Sequence, residues 1–248
     1  MLIIINYWTK EYFLMSNKNF YTELTISNKN LIKKFSHTKR FLIALKILNL
    51  KSNDKFLDIG TGDGYFLKLV NKKKIKKIVG YEPNNRLFKI LKENLQYNKN
   101  VILKKDLIKY SEPFSKISCL EVLEHLRLSD QKKILDLIKK NSTNKSTILI
   151  GVPIEIGLVS FVKNMIRIFI GESHENTNFI NIFKSVFNLK IKRKNSKYNN
   201  SHIGFDFNSI QKLILNNNFN IIKRYYSPFN WPVYWLNSQI YWLIKKKD

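Results

Sequence analysis

The sequence predicts a doubly wound α/β fold: a mostly parallel seven-stranded sheet with helices on both faces, a helical extension before it and a helical, irregular insert after its fifth strand. Three observations predict it. Short apolar runs alternate with stretches of helical periodicity from Lys55 to Val152. One of those runs, Phe56 to Ile59, leads straight into closely spaced glycines. The chain has 248 residues, 44% of them hydrophobic, which suffices for one large α/β domain and is cramped for two.

The elements follow in order. Residues 16–50 carry helical spacing in Leu31, Ile32, Phe35, Phe41, Leu42, Leu45 and Leu48. Lys55–Ile59 reads as a buried strand and Asp63–Asn71 as a helix. Lys77–Tyr81 is a second strand, closed by Glu82-Pro83, and Asn84–Tyr97 a helix with Asn84 or Asn85 as N-cap. Val101–Leu103 and Ile117–Glu121 are strands three and four. Ser129–Lys140 is a helix capped by Ser129 or Asp130, and Thr147–Val152 is the fifth strand. After Pro153 the rhythm changes: Gly157–Ile170 is an amphipathic helix, and 171–205 is polar and irregular with a short helix near Asn181–Phe187. Asn208–Leu215 is a helix, Phe219–Tyr226 a strand and Gln239–Ile244 a last strand, free to run antiparallel. The expected layout is therefore a helical extension over 1–50 and a sheet domain over 51–248, with residues 153–205 as a substrate-side insert.

Composition bounds the function. Forty-four Lys and Arg against 18 Asp and Glu give a formal net charge of +26, which suits phosphates, anionic headgroups or acidic glycans. The excess is mostly Lys, scattered along the chain and accompanied by frequent Asn and Ile, so compositional drift accounts for it better than a dedicated polyanion site. A single cysteine, Cys119, excludes an internal disulfide, fits a reducing cytoplasm and lies in an apolar run that favours a buried thiol. Met1 to Ile5 has no basic flank and ends after five apolar residues, so it reads as neither signal peptide nor span; Met15 offers an alternative start. Lys163, Arg167 and Glu155 interrupt the apolar stretch Ile148–Ile170, which excludes a spanning helix there while leaving peripheral membrane contact open.

The densest chemistry lies in Asp58-Ile59-Gly60-Thr61-Gly62-Asp63-Gly64. Glycines between a buried strand and a helix let the backbone turn and approach a ligand. The spacing is Gly-x-Gly-x-Gly, with Tyr65 where a dinucleotide site has its third glycine. Asp58, two residues before the loop, suits an ammonium-bearing ligand better than a pyrophosphate. Glu82 ends the second strand about twenty residues on, where an acidic side chain clamps ribose hydroxyls. Asp106, after the third strand, is placed to meet an adenine amino group, with Leu107 and Ile108 beside the ring. Each carboxylate alone can equally be a helix cap or a solvated loop group.

These residues resemble the class I S-adenosylmethionine-dependent methyltransferases, a Rossmann-like family, over about Arg40 to Val152. Asp58–Gly64 looks like that family's first motif and Val79–Pro83 its second; Ile117–Leu126, containing Glu121, Val122, Leu123, Glu124 and His125, looks like its fourth-strand motif in the form of ubiquinone-biosynthesis O-methyltransferases. The resemblance implies that S-adenosyl-L-methionine is the cofactor, with Asp58, Gly60, Thr61, Gly62 and Gly64 at its methionyl part, Glu82 and Pro83 at the ribose, Asp106 and Leu107 at the adenine and Glu121 near the sulfonium. The second half, in Gly151–Leu158, Ser201–Asp206, Ser227–Phe229 and Leu236–Tyr241, is similar to uncharacterised bacterial methyltransferases often associated with surface-glycan or lipid-linked sugar biosynthesis.

Methyl transfer needs alignment of acceptor, carbon and sulfur, and a hydroxyl acceptor gains from a general base. Histidine suits that role near neutral pH. Of four histidines, His125 and His202 fall at the rim where the acceptor belongs and, with Glu121, are the catalytic candidates; His174 and His37 are more remote. Each is also explicable as a packed residue at a turn. Glu121, Glu124 and His125 resemble a motif that binds a divalent ion in some ubiquinone-pathway and small-RNA methyltransferases, and such a site would accompany an RNA acceptor. No appended RNA-binding module and no Asn/Asp-Pro-Pro-aromatic tetrapeptide follows the fourth strand. The reading is thus O-methylation of a small-molecule, glycan or lipid-linked sugar acceptor without a metal, against RNA 2'-O-methylation or a non-catalytic protein that keeps the fold.

Overall fold

The computed structural model describes residues 31–98, 100–106, 110–169, 178–187, 189, 191, 193, 202–229 and 231–247, with the side chains of 31–37, 166, 167 and 169 excepted. The elements are α1 (Leu31–Leu48), β1 (Lys55–Ile59), α2 (Tyr65–Asn71), β2 (Lys77–Tyr81), α3 (Asn85–Leu95), β3 (Val101–Lys104), β4 (Lys116–Leu120), α4 (Leu128–Lys140), β5 (Thr147–Pro153), α5 (Gly157–Phe169), α6 (Phe179–Val186), α7 (Phe207–Asn216), β6 (Phe219–Ser227) and β7 (Gln239–Lys246). Single 3-10 turns lie at Leu123–His125 and Tyr234–Leu236.

The seven strands form one sheet in the order β3-β2-β1-β4-β5-β7-β6. The first five are parallel, and β7 inserts antiparallel between β5 and β6. The order reverses direction at β1 and β4, so a crevice opens beyond the carboxyl ends of those two strands. The register is fixed by burial on both faces. Leu57 and Ile59 of β1, Ile148 and Ile150 of β5, and Ile240 and Trp242 of β7 face one layer of helices with α4 and α7. Phe56, Ile78, Leu149 and Tyr241 face the other with α1, α2 and α3. A one-residue slip in any central strand would exchange these two sets.

The helical segment before β1 packs into this core: Phe41, Ala44 and Leu48 of α1 are buried in the second layer. Asn84 caps α3, its side chain accepting from the Arg86 and Leu87 amides at 2.9 and 3.1 Å. Several expected boundaries move. α2 starts at Tyr65 rather than Asp63, because Gly64 is left-handed and ends the loop two residues later. α4 starts at Leu128 behind Arg127, which makes no side-chain cap; Ser129 and Asp130 lie inside its first turn, where Asp130 instead pairs with Arg127 and Lys133. β4 stops at Leu120, and Glu121 turns to φ 56°.

The spacing of Phe161, Met165, Ile168 and Phe169 predicts an apolar side on α5, suited to packing on the sheet, to a wall over the acceptor or to an outside surface. In the structure α5 buries Ser160 and Asn164, hydrogen-bonded to each other at 3.2 Å, half-buries Met165 and Ile168, and exposes Leu158, Phe161 and Val162; Phe169 lies outside the described side chains. Trp231, Tyr234 and Trp235 form an aromatic cluster near Pro228 and Pro232 whose composition suits stacking on a ligand as well as packing at the edge of the core, and all three are exposed.

Candidate active site

The crevice is built from the glycine loop upward. The amides of Gly60 and Thr61 both donate to the Tyr81 carbonyl, at 2.9 and 3.1 Å, tying the loop to the end of β2. Glu82 follows directly and is almost fully buried. One of its carboxylate oxygens accepts from the Gly62 amide at 2.8 Å and the other from the Asn84 amide at 2.9 Å. Glu82 therefore grips the loop across twenty residues of sequence and opens the next helix at the same time. Asp58, also buried, accepts from the Ser118 hydroxyl of β4 at 2.5 Å, while the Thr61 hydroxyl donates to the Asp58 carbonyl at 3.2 Å.

Two glycines have distinct jobs. A Cβ on Gly60 (φ +75°) would lie 2.3 Å from a Val122 methyl, so the loop passes the turn after β4 at a distance only glycine permits. Gly62 (φ +61°) has open space where a Cβ would point, which leaves clearance over the amide that Glu82 holds. Gly60→Ala combines a left-handed backbone with that clash. It is expected to destabilise the protein by about 2 kcal/mol or more, read as a lower urea midpoint at unchanged slope.

Burial is the largest influence on both carboxylates. It pushes Glu82 up to about 7 against the pull of the Asn84 and Gly62 amides, and the Asp58 charge adds to the rise. Burial likewise pushes Asp58 up to about 6, opposed by Ser118 and Thr61. Asp106 is exposed beside the end of β3 and borders a small crevice with Leu57, Tyr81 and Tyr110. Pro83 is exposed next to Glu82. Leu107 lies outside the described residues.

The opposite wall comes from β4 and its exit. The left-handed backbone at Glu121 turns its side chain back across the sheet end, with its amide held by the Gly151 carbonyl at 2.9 Å. Its carboxylate receives Arg40 of α1 at 3.0 Å on one oxygen and Gln239 of β7 on the other. Arg40 is itself fixed, its carbonyl accepting from the Tyr241 hydroxyl at 3.0 Å. Arg40 and Gln239 are thus site residues that the sequence reading did not name. The only local signals were a cation late in a helix and an amide at a strand start, 81 and 118 residues from their partner.

Beyond Glu121, His125 and His202 come together: their rings meet edge to face with centroids 4.9 Å apart. Glu124 lies fully buried behind them, an oxygen 3.8 Å from His125 Nε2 and neither oxygen hydrogen-bonded. Burial, then the Glu121 charge, raise Glu124 well above the usual carboxylate range, which favours its neutral form near pH 7. Arg193 donates to the Glu124 carbonyl at 3.1 Å and stacks over Phe205. No group of three or more His, Cys, Asp or Glu side chains among the described residues is placed to hold a metal ion. Glu121 faces Arg40 and Gln239 instead, so the donor set of a divalent-ion site is not assembled there. His174 lies outside the described residues, as does the His37 side chain. Cys119 is fully buried, and burial raises its thiol far above its ordinary range, in keeping with a structural role.

A separate cleft of about 700 Å³ opens at the same edge of the sheet, where β5 leaves and α7 begins. Glu155, Ile156, Ser185, Gly204, Phe205 and Asp206 are in its lining. The turn that carries Gly204 and Phe205 starts at His202, whose carbonyl accepts from the Phe205 amide at 2.9 Å. The cleft wall and the histidine pair are therefore parts of one local structure.

Comparisons with known proteins agree on this architecture. The chain resembles a solved S-adenosylmethionine-dependent methyltransferase from Clostridium acetobutylicum (TM-score 0.58, 14% identity, 88% of this chain and 100% of that one). It also resembles magnesium protoporphyrin IX methyltransferase from Synechocystis with bound SAH (TM-score 0.56, 10% identity, 94% and 90%) and the N-methyltransferase NodS from Bradyrhizobium japonicum (TM-score 0.54, 11% identity, 86% and 97%). At these identities the likeness establishes the fold. No curated protein matches the sequence. A family model described as a methyltransferase domain matches residues 30–155, which run from α1 through the glycine loop and the end of β4 to the exit of β5. That match covers just over half of the chain, and on it this protein belongs to the methyltransferase domain family.

Proposed function

We propose that this protein is an S-adenosyl-L-methionine-dependent O-methyltransferase acting on a hydroxyl of a small-molecule, glycan or lipid-linked sugar acceptor. The observation that carries the cofactor part is the Glu82 carboxylate bound to the Gly62 amide under open space. When bound, S-adenosyl-L-methionine supplies a methyl group on a sulfonium with a neutral thioether as leaving group. The chain's own residues supply the rest. A carboxylate has about four acceptor positions, so Glu82 can keep its two backbone donors and still accept from both ribose hydroxyls. Gly60, Thr61, Gly62 and Gly64 let the backbone approach the methionyl part, with Asp58 as the nearby anion for its ammonium. Pro83 and Asp106 border the nucleoside, and Glu121, held by Arg40 and Gln239, lies at the floor near the sulfonium.

On the acceptor side, an imidazole nitrogen of the His125–His202 pair takes the hydroxyl proton as the oxygen accepts the methyl group. The edge-to-face contact orients the pair, with the buried Glu124 beside His125. The cleft at Glu155 and Asp206 gives the acceptor its wall, with carboxylates and amides, among them Asn208 and Gln211, suited to polyhydroxylated molecules. Incubating the purified protein with labelled S-adenosyl-L-methionine and separate glycan, lipid and RNA fractions tests this. Label in the glycan or lipid fraction is expected; label in RNA alone would transfer the protein to the 2'-O class.

The raised carboxyl of Glu82 gives a pH dependence. Only its ionised form accepts from two hydroxyls, so cofactor affinity should increase about tenfold between pH 5.5 and 7.5. Without cofactor the sign of the stability effect is opposite. The folded state holds this proton more tightly than the unfolded chain, so the group's contribution to stability is full below about 4.5 and fades as pH rises towards about 7. Titration calorimetry across that range, with Glu82→Gln expected to flatten the affinity profile, checks both the residue and the sign.

A further inference from the structure

The two helices of the insert are built with their polarity reversed. α5 turns Ser160 and Asn164 inward and Leu158, Phe161 and Val162 outward at helical i, i+3, i+4 spacing. α6 buries Ser185 beside Ile182 and exposes Phe179, Ile180 and Phe183, followed by exposed Phe187. The ion pair of Lys163 with the buried Glu155 also lies on the inner side. The aromatic loop continues this surface: the Cβ position of Gly157, at the start of α5, is 2.8 Å from the Trp235 backbone, and Trp231, Tyr234 and Trp235 are exposed beside it. Of twenty exposed large hydrophobic side chains among the described residues, fourteen fall between Leu158 and Leu189 or between Phe229 and Leu236. Scattered exposed apolar residues need no explanation, but a concentration of this size marks an interaction surface.

Charge selects the partner. From Gly157, where α5 begins, to Lys247 the sequence holds fourteen Lys and Arg and three carboxylates, Glu172, Glu175 and Asp206. Lys184 stands between the exposed Phe183 and Phe187 on α6 itself. An apolar aromatic face in strongly basic sequence fits the boundary of an anionic bilayer, where Trp and Tyr place their rings at headgroup depth and each nearby cation adds attraction. No helix among the described residues is long and apolar enough to cross a membrane, so such a surface would lie in the bilayer plane.

We propose that α5, α6 and the 229–236 loop form a docking face that seats this protein on a membrane carrying anionic headgroups. The face is continuous with the cleft at Glu155, because Ser185 and Leu189 line that cleft while Phe183 and Phe187 face out. An acceptor held in the bilayer would therefore reach the cleft from the docked side. The docking itself does not depend on which hydroxyl is methylated.

Sedimentation with vesicles tests it. The full chain is expected to pellet with 3:1 phosphatidylcholine–phosphatidylglycerol vesicles and only weakly with phosphatidylcholine alone. Phe183→Asp and Trp235→Asp should each lower partitioning about tenfold or more, with unchanged circular dichroism and thermal midpoint because both side chains are exposed. Brominated lipid should quench tryptophan fluorescence in the wild type and much less in the Trp231→Phe/Trp235→Phe double variant. Absence of vesicle binding would overturn the proposal. So would binding indifferent to the apolar substitutions, which would be charge alone, or a vesicle-indifferent dimer that Phe183→Asp converts to monomer. Loss of vesicle binding with retained methyl transfer to a soluble acceptor separates this face from the active site.

Discussion

Glu82→Ala is expected to weaken S-adenosyl-L-methionine binding by about a hundredfold or more. Each hydrogen bond from a ribose hydroxyl to an ionised carboxylate contributes roughly 1.5–3 kcal/mol, and two are lost together, where about 2.7 kcal/mol is already a hundredfold. The substitution also releases the Gly62 and Asn84 amides, which Glu82 holds at 2.8 and 2.9 Å, so the loop would lose its preset shape before any ligand arrives. Glu82→Gln keeps one acceptor oxygen and should fall between the two. Isothermal titration calorimetry gives the constants directly. Equal affinity in wild type and Glu82→Ala would mean that the ribose lies elsewhere.

His125→Ala and His202→Ala should act on the other half of the reaction. A positioned general base contributes about a hundredfold to ten-thousandfold to rate, so kcat should fall within that range while the dissociation constant for S-adenosyl-L-methionine stays near wild type. The two rings touch at 4.9 Å, so the double variant should lose little beyond the worse of the single variants. A base also leaves a trace in pH: the wild-type rate should climb through the histidine range, and the variant that removes the base should lose that limb. A merely structural histidine would lower stability without altering the pH profile. Full activity in both single variants would remove these residues from the mechanism.

The first half of this protein was legible because its signals are local. A buried strand, glycines that need positive φ, and a capping asparagine all act within a few residues, and β1, Gly60–Gly64 and Asn84 fall where expected. Glu82 was legible for a related reason: the end of the next parallel strand must lie beside the loop. Boundaries failed where neighbours decide them. α4 begins at Leu128 because Asp130 pairs with Arg127 and Lys133 instead of capping, and Glu121 leaves β4 in a left-handed turn. Contacts made by topology were not legible. Arg40 and Gln239 reach Glu121 from α1 and β7, elements that meet only once β7 has been inserted beside β5. Which way the apolar side of α5 faces was left open by the sequence, because periodicity gives the angle of an apolar stripe and not whether that stripe faces the core.

The most direct test of the cofactor site is a crystal structure with S-adenosylhomocysteine. The ribose hydroxyls are expected within hydrogen-bonding distance of the Glu82 carboxylate, with the homocysteine part running over Gly60 to Gly64. Well-defined ligand bound away from that loop, or a crevice closed by side chains with no ligand in it at saturating concentration, would contradict the account.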